Sequence, residues 1–342
     1  MFARLALEGR VMDLKTNYLG LVLPHPFVAG ASPGSDTAAR CVQLEHGGAS
    51  AIVLRSLFEE QIERDALAHH QAEVGHADVD LAVRSYLPMG DGCVFGPDEY
   101  LEHLKQVKRA VAVPVLASLS GHTHGGWIDY ARALDAAGAD ALELDLYAVA
   151  TDPGESGDEL ESCACAIVQA VRRAVRMRVA VKLSPFYTSL ANFALRLQHA
   201  GADALVLFHR GCETDVDLET LQMTTGMEPC DRRELRLRLR WLSLLSGPCE
   251  CELAVSGGVH TVPDAVKALL CGADVVQVVG EALRRGPGVF ASLRDGLAAW
   301  LEEHGYASLR QLRGSLDATR AVDPKARERA SYLRALQAYR GE

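Results

Sequence analysis

Lys182 lies in the run Val179-Ala180-Val181-Lys182-Leu183-Ser184-Pro185, where every residue before it is apolar. Lysine is seldom buried without a partner. A lysine near the end of such a run therefore either faces a site or holds an ion pair with Glu143 or Asp145 of the neighbouring run. In a site it would form a Schiff base or set a fixed positive charge beside an anionic cofactor. Two glycine-bearing turns offer complementary chemistry. Ser256-Gly257-Gly258-Val259 and Val279-Gly280-Glu281 each close an apolar run, and backbone N–H groups at such turns hold phosphate in many barrels. Histidines gather in similar places: His122 and His124, His209, and His260. They suit acid–base work or a metal, but the carboxylates of a barrel metal centre are not evidently placed, so no metal is expected. Cys163-x-Cys165 and Cys249-x-Cys251 lack zinc-ribbon spacing and read as packing residues. The basic run 232–240 reads as a solvated helix face, and the acidic run 213–219 as a solvated loop.

These residues fall at the ends of a repeated unit. Short β-rich runs recur at 26–32, 51–56, 113–120, 141–147, 178–185, 204–210, 251–259 and 275–282, each followed by helical periodicity. Several are almost continuously apolar, as parallel strands buried on both faces must be. In the helices, Trp127, Tyr130, Ala131 and Leu134 share one face, as do Leu190, Phe193, Ala194 and Leu197. Three helices end alike, at Ala-Gly-Ala-Asp 137–140 and 200–203 and Cys-Gly-Ala-Asp 271–274. The glycine suits a left-handed cap before a short turn into the next strand. A doubly wound sheet would use similar turns, but eight runs favour a closed barrel, which leaves no edge strand exposed. The expected fold is α/β, a (β/α)8 TIM barrel. Its core spans about 26–303, with an N-terminal β-hairpin at 13–24 and a C-terminal tail at 304–342 that is helical over 327–339. All of 1–342 reads as one domain. Excursions at 58–96 and 210–232 fall at the C-terminal rim, where binding loops collect.

With 342 residues, 49% of them hydrophobic, the chain has ample material for a large core and is not a disordered polymer. Lys and Arg total 35 against 45 Asp and Glu, a net charge of −10, which argues against nucleic acid as the main partner. No apolar run approaches the roughly 18 residues of a membrane span, and Glu8 and Arg10 cut the apolar start too short for a signal sequence. Nine cysteines, an odd count at irregular spacing, fit reduced thiols. The expectation is a soluble, cytoplasmic protein.

The sequence resembles class 1 dihydroorotate dehydrogenases. The likeness rests on Asp13-Leu14-Lys15-Thr16-Asn17-Tyr18-Leu19-Gly20 with 26–33, on Ala180-Val181-Lys182-Leu183-Ser184-Pro185, on Ser256-Gly257-Gly258-Val259 and on Leu270-Cys271-Gly272-Ala273-Asp274. The tail 329–337 is similar to the dihydroorotate dehydrogenase-like branch. The resemblance covers about 12–339. It implies an FMN-containing barrel that oxidises dihydroorotate to orotate in pyrimidine biosynthesis, passing hydride to the flavin while a base removes a proton. By position, Lys182 matches the lysine beside the flavin ring. Gly257, Gly258, Val279 and Gly280 match the phosphate loops, and Ala31 and Ser32 the first-strand turn that touches the flavin. The family likeness also implies a homodimer, with 210–232 a contact.

The departures from the family pattern concentrate in the site. The stretch after strand four reads Asp145-Leu146-Tyr147-Ala148-Val149-Ala150, so the base position is Ala148 and the flavin- or substrate-binding asparagine is Asp145. The lysine after strand two is Arg55, next to Ser56, and the asparagine after strand six is His209. The substrate-binding asparagines have no clear counterpart at 84–88. Proton transfer would then fall to Tyr147, Thr151, Asp152 or His209. The expected activity is that of an FMN-dependent oxidoreductase on a small molecule, such as a dihydropyrimidine. The alternatives are a degenerate barrel that binds FMN or another phosphate ligand, and a flavin-free partner protein.

Overall fold

Side chains along a strand alternate between its two faces, and that alternation builds a barrel here. The computed structural model describes residues 12–65, 95–123, 125, 127–211, 213–226, 228, 230–318 and 323–339. Its strands are β1 (Thr16–Tyr18), β2 (Leu21–Leu23), β3 (Phe27–Ala29), β4 (Ile52–Val53), β5 (Leu57–Phe58), β6 (Val115–Ser120), β7 (Ala141–Asp145), β8 (Arg178–Leu183), β9 (Ala204–Leu207), β10 (Glu213–Asp217), β11 (Gln222–Gly226), β12 (Glu252–Ser256) and β13 (Val275–Val278). The parallel order β4-β3-β13-β12-β9-β8-β7-β6 closes because β4 also pairs with β6. Closure decides against the doubly wound sheet. All eight sequence runs contain a barrel strand, and the second is split. Ile52–Val53 and Leu57–Phe58 both pair with β6, so the chain breaks register at Leu54, Arg55 and Ser56.

The barrel interior is layered. Val28, Val53, Leu116, Ala141, Ala180, Ala204, Ala254 and Val275 form an apolar floor together with Tyr18, Leu19 and Leu23 of the β1–β2 hairpin. Four of these floor residues are alanines, which leaves room for the fully buried Tyr18 ring. Two residues further along five of these strands, the same face becomes polar, with Ser118, Glu143, Lys182, Ser256 and Gln277, all buried. The outer faces of the strands pack Leu142, Leu144, Val179, Val181 and Leu205 against the helices. Helices Trp127–Ala136 and Leu190–Ala200 bury the faces read from their periodicity, apart from half-buried Tyr130. Gly138, Gly201 and Gly272 adopt φ of +93°, +107° and +112° at the three repeated turns, a conformation that favours glycine.

Several expectations need correction. The acidic run 213–219 is not a loop, because Glu213–Asp217 pairs with Gln222–Gly226 in an exposed antiparallel hairpin. The basic run 232–240 is not wholly solvated. Arg238 on helix Leu235–Leu245 is 4% exposed, with its guanidinium donating to the Ser256 and Glu234 carbonyls. Cys163 is exposed rather than packed. The tail helix runs Pro324–Ala338, slightly longer than read, and buries none of its residues. Most of the excursion at 58–96, including 84–88, and His124 lie outside the described residues. No described helix is long and apolar enough to cross a membrane.

Candidate active site

The polar layer above the apolar floor is held by one buried charge network. Lys182 donates from Nζ to Glu143 Oε1 at 2.8 Å, and Gln277 donates from Nε2 to the other Glu143 oxygen. Glu143 is fully buried and Lys182 is 6% exposed. Burial by itself pulls the Lys182 ammonium down, but the Glu143 and Asp145 carboxylates outweigh it and hold the group above the ordinary amine value. A protonated amine is no nucleophile, so the geometry favours the fixed-charge role over a Schiff base. The ion pair with Glu143 is therefore present. One ammonium hydrogen goes to Glu143, which leaves donors for a ligand above it.

At the top of the neighbouring strand, Asp145 Oδ1 faces His209 Nδ1 at 3.4 Å. Neither of these buried atoms makes a hydrogen bond. The Tyr147 ring meets the imidazole edge-on, with centroids 4.8 Å apart at 62°. A cavity of about 680 Å³ opens beside them, with Tyr147, Ala148, Thr151, Ser184, His209 and His122 on its wall. Ala148 brings only a methyl group to this wall. Asp152 does not join it. That residue is exposed, and its carboxylate accepts from the Gly154 N–H at 2.7 Å within its own turn.

The remaining candidates line the barrel mouth. Arg55 donates from Nη1 to Asp36 Oδ2 at 3.2 Å, and its backbone N–H goes to Ser35 Oγ at 2.9 Å. The register break turns the neighbouring Ser56 toward Ser118, with hydroxyls 2.8 Å apart. Ser32 Oγ accepts from the Gly34 N–H, and Ala31 packs against the interior cluster. Gly257 and Gly258 have φ of +86° and +77°. Backbone N–H groups at glycine turns after barrel strands hold phosphate in many barrels. A Cβ on Gly258 would lie 2.7 Å from the Leu235 backbone nitrogen, so the turn admits glycine alone. Val279 precedes Gly280 at the start of helix Gly280–Arg285. A flavin with a phosphate tail fits this donor set: a buried ammonium at the ring end, and glycine amides at the phosphate end.

Sequence reading missed three features here. Gln277 was signalled by being the lone polar side chain in Val275–Val278, on the same face as Glu143. Glu281, directly after the glycine turn, is buried against His260 (3.4 Å), Arg284 (3.2 Å) and Arg285 (3.6 Å). Nothing in its spacing announced that. Glu59, Glu60 and His122 bring ligand-type atoms within 4.8 Å of one another. Glu59 is already engaged by the N–H groups of His122 and Thr123 and by His122 Nδ1 at 2.9 Å.

The family profile described as dihydroorotate dehydrogenase matches residues 93–301, which carry six of the barrel strands and both glycine turns. The chain belongs to the dihydroorotate dehydrogenase family. The catalytic subunit of dihydroorotate dehydrogenase B (NAD(+)) from Trichlorobacter lovleyi is 29% identical over 65% of this chain and 74% of its own length. The Methanosarcina acetivorans protein of the same description is 26% identical over 87% of this chain and 94% of its own. The NAD-dependent dihydropyrimidine dehydrogenase subunit PreA of Escherichia coli is 22% identical over 88% of this chain and 76% of its own. These dehydrogenases make the family one of oxidoreductases, and the closed barrel is the architecture the resemblance implied.

Proposed function

We propose that the protein is an FMN-dependent oxidoreductase of a small dihydropyrimidine-like ring, in which His209 takes over the proton transfer that residue 148 cannot perform. The observation that carries this reading is that His209 lines the cavity that also presents Ala148, with Asp145 3.4 Å from its Nδ1. FMN, when bound, supplies the hydride acceptor. Lys182 holds positive charge at the ring end, where it stabilises the reduced, anionic form. Gly257, Gly258, Val279 and Gly280 hold the phosphate, while Ala31, Ser32, Arg55 and Ser56 border the ring. Asp145 faces the Nδ1 side of the imidazole at 3.4 Å, and closing that gap to a hydrogen bond would orient the ring and leave Nε2 as the atom that accepts the substrate proton. Tyr147 limits how far the ring can swing, and Ser184 offers a hydroxyl to the substrate. The relatives' printed activities support placement in pyrimidine metabolism. The same reading has the protein act as a cytoplasmic homodimer.

Ala148 at the family's base position favours a second reading, a barrel that binds FMN without orotate chemistry. Anaerobic mixing separates them. The purified protein is expected to be yellow, and dihydroorotate to bleach it slowly or not at all. A substrate that does bleach it should lose about 10²–10⁴ in rate in His209→Asn. An unchanged rate in that variant removes His209 from the mechanism, and a colourless protein that takes up no FMN removes the flavin reading altogether.

A further inference from the structure

A second cavity, of about 240 Å³, opens at the other end of the barrel, with Ser246, Cys249, Cys251, Asp274 and Arg313 on its wall. Strand β12 runs from Glu252 beside this cavity to Ser256, just before Gly257. The cavity is therefore roughly 20 Å from the glycine turn, at about 3.3 Å of strand per residue. The backbone sets its two cysteines side by side. Helix Leu235–Leu245 ends there, and the Cys249 N–H donates to the Leu245 carbonyl at 2.9 Å. Gln198 fixes the next two residues, its Oε1 accepting from the Glu250 N–H at 2.8 Å and the Cys251 N–H at 3.2 Å. As the chain extends into β12, residues two apart share a face. Cys249 is 8% exposed and Cys251 half-buried, while Glu250 between them points to solvent.

Both thiols are free. The Cys251 thiol donates a hydrogen bond to the Cys249 sulfur, which holds Cys249 below the ordinary thiol value against the opposing effect of burial. The same bond, helped by burial, pushes Cys251 up. The pair is thus unequal, with one sulfur favoured as thiolate and the other poised to attack it. Sulfurs in such contact reach the S–S bond length of about 2.05 Å by side-chain rotation. The cavity also selects by size. It is smaller than the roughly 300–1,000 Å³ that drug-sized ligands fill, so it admits water-sized molecules and excludes a bulky disulfide oxidant. On its wall the Ser246 hydroxyl is buried without a hydrogen-bond partner among the described residues, a polar contact for a small oxidant.

We propose that Cys249 and Cys251 form a redox-modification site, a dithiol that hydrogen peroxide converts reversibly to a disulfide. The Cys249 thiolate attacks one peroxide oxygen, and the O–O bond breaks. The departing hydroxide takes up the proton that Cys249 gave up and becomes water, leaving a sulfenic acid on Cys249. Cys251 then attacks the Cys249 sulfur. The S–S bond forms, the S–O bond breaks, and hydroxide leaves with the Cys251 proton as a second water. Two thiols lose two electrons, and one peroxide is reduced to two waters.

Peptide mapping of the reduced, full-length protein after treatment with a few equivalents of hydrogen peroxide tests this. Tryptic cleavage after Arg240 and Lys267 leaves both cysteines, and no other, on one peptide. After oxidation that peptide should be lighter by two hydrogens and resist alkylation, and dithiothreitol should restore both thiols. In Cys251→Ser the sulfenic acid on Cys249 has no resolving thiol, so dimedone should capture it there and not in the parent protein. Mapping of the parent protein decides the matter even where the variant fails to fold. Two alkylatable thiols on this peptide after the exposed Cys163 has been consumed overturn the inference. So does an irreversible gain of oxygen at either cysteine in place of the disulfide.

Discussion

Lys182 and Glu143 form a pair whose value differs between folding and cofactor binding. A buried carboxylate left without its cation costs about 3–5 kcal/mol, so Lys182→Met should destabilise the protein by that order in denaturant titration. Adding Glu143→Gln removes the stranded charge, and the double variant should regain most of the stability. FMN affinity, read by quenching of flavin fluorescence, should stay low in both, because the fixed charge at the ring is gone either way. Recovery of FMN affinity in the double variant would show that the lysine serves only the fold. The lysine's importance, and Glu143 as a candidate partner, were legible from an ammonium placed in an apolar run. The choice between Glu143 and Asp145 was not. Both stand on the same inward face of β7, and only the strand register, which sets Glu143 opposite Ala180 and Asp145 opposite Lys182, with the lysine side chain reaching back, decides it.

At the scale of elements, the N-terminal hairpin closes the barrel floor and leads directly into β3 through His25. This histidine is 4% exposed, and its Nδ1 accepts from the Phe27 N–H at 3.3 Å. Burial, with a smaller contribution from Arg294, lowers its pKa from 6.5 to about 4. The folded protein therefore holds His25 neutral where the unfolded chain would protonate it. Its contribution is fully present above pH 6.5 and is lost as pH falls toward 4, on the order of 3 kcal/mol. Thermal unfolding of His25→Asn across that window should show a shallower acid loss than the parent protein, and an identical slope would refute the assignment. Asp274, at the foot of the adjacent strand β13, works in the opposite sense. Burial raises it to about 6, so its contribution falls as pH rises from 3.8 through 6. The two groups must be varied separately. The hairpin itself was readable from its turn residues, whereas the burial of His25 depends on where the helix holding Arg294 comes to rest.

Taken whole, the molecule carries two features that its own barrel does not use. The β10–β11 hairpin exposes Val216, Leu218, Leu221 and Met223 by 51–82%, and the run 213–226 holds four acidic and no basic residues. The tail helix Pro324–Ala338 holds four basic residues and one acidic one, and exposes Tyr332, Leu333 and Leu336 by 54–66%. Opposite charge around apolar centres suits contact between these two faces in a homodimer. If the proposed homodimer forms through the hairpin, replacing 213–226 by a short glycine linker should shift the sedimentation coefficient from dimer to monomer while leaving the proposed FMN binding intact, and an unchanged coefficient would exclude the hairpin as the contact. By itself the sequence determined the eight barrel runs, the buried faces of two helices, the glycine turns and the family, because each is written in local periodicity or in a short contiguous motif. It also placed alanine, at 148, where the resemblance implies a base. The approach of Asp145 to His209 was visible only in three dimensions. Asp145 and His209 are 64 residues apart in the chain and come within 3.4 Å because β7, β8 and β9 lie side by side in register. Asp152 lies near Ala148 in the chain, and the fold turns it out to solvent. Contacts across a barrel mouth depend on strand order, register and closure, and no local pattern of residues encodes all three.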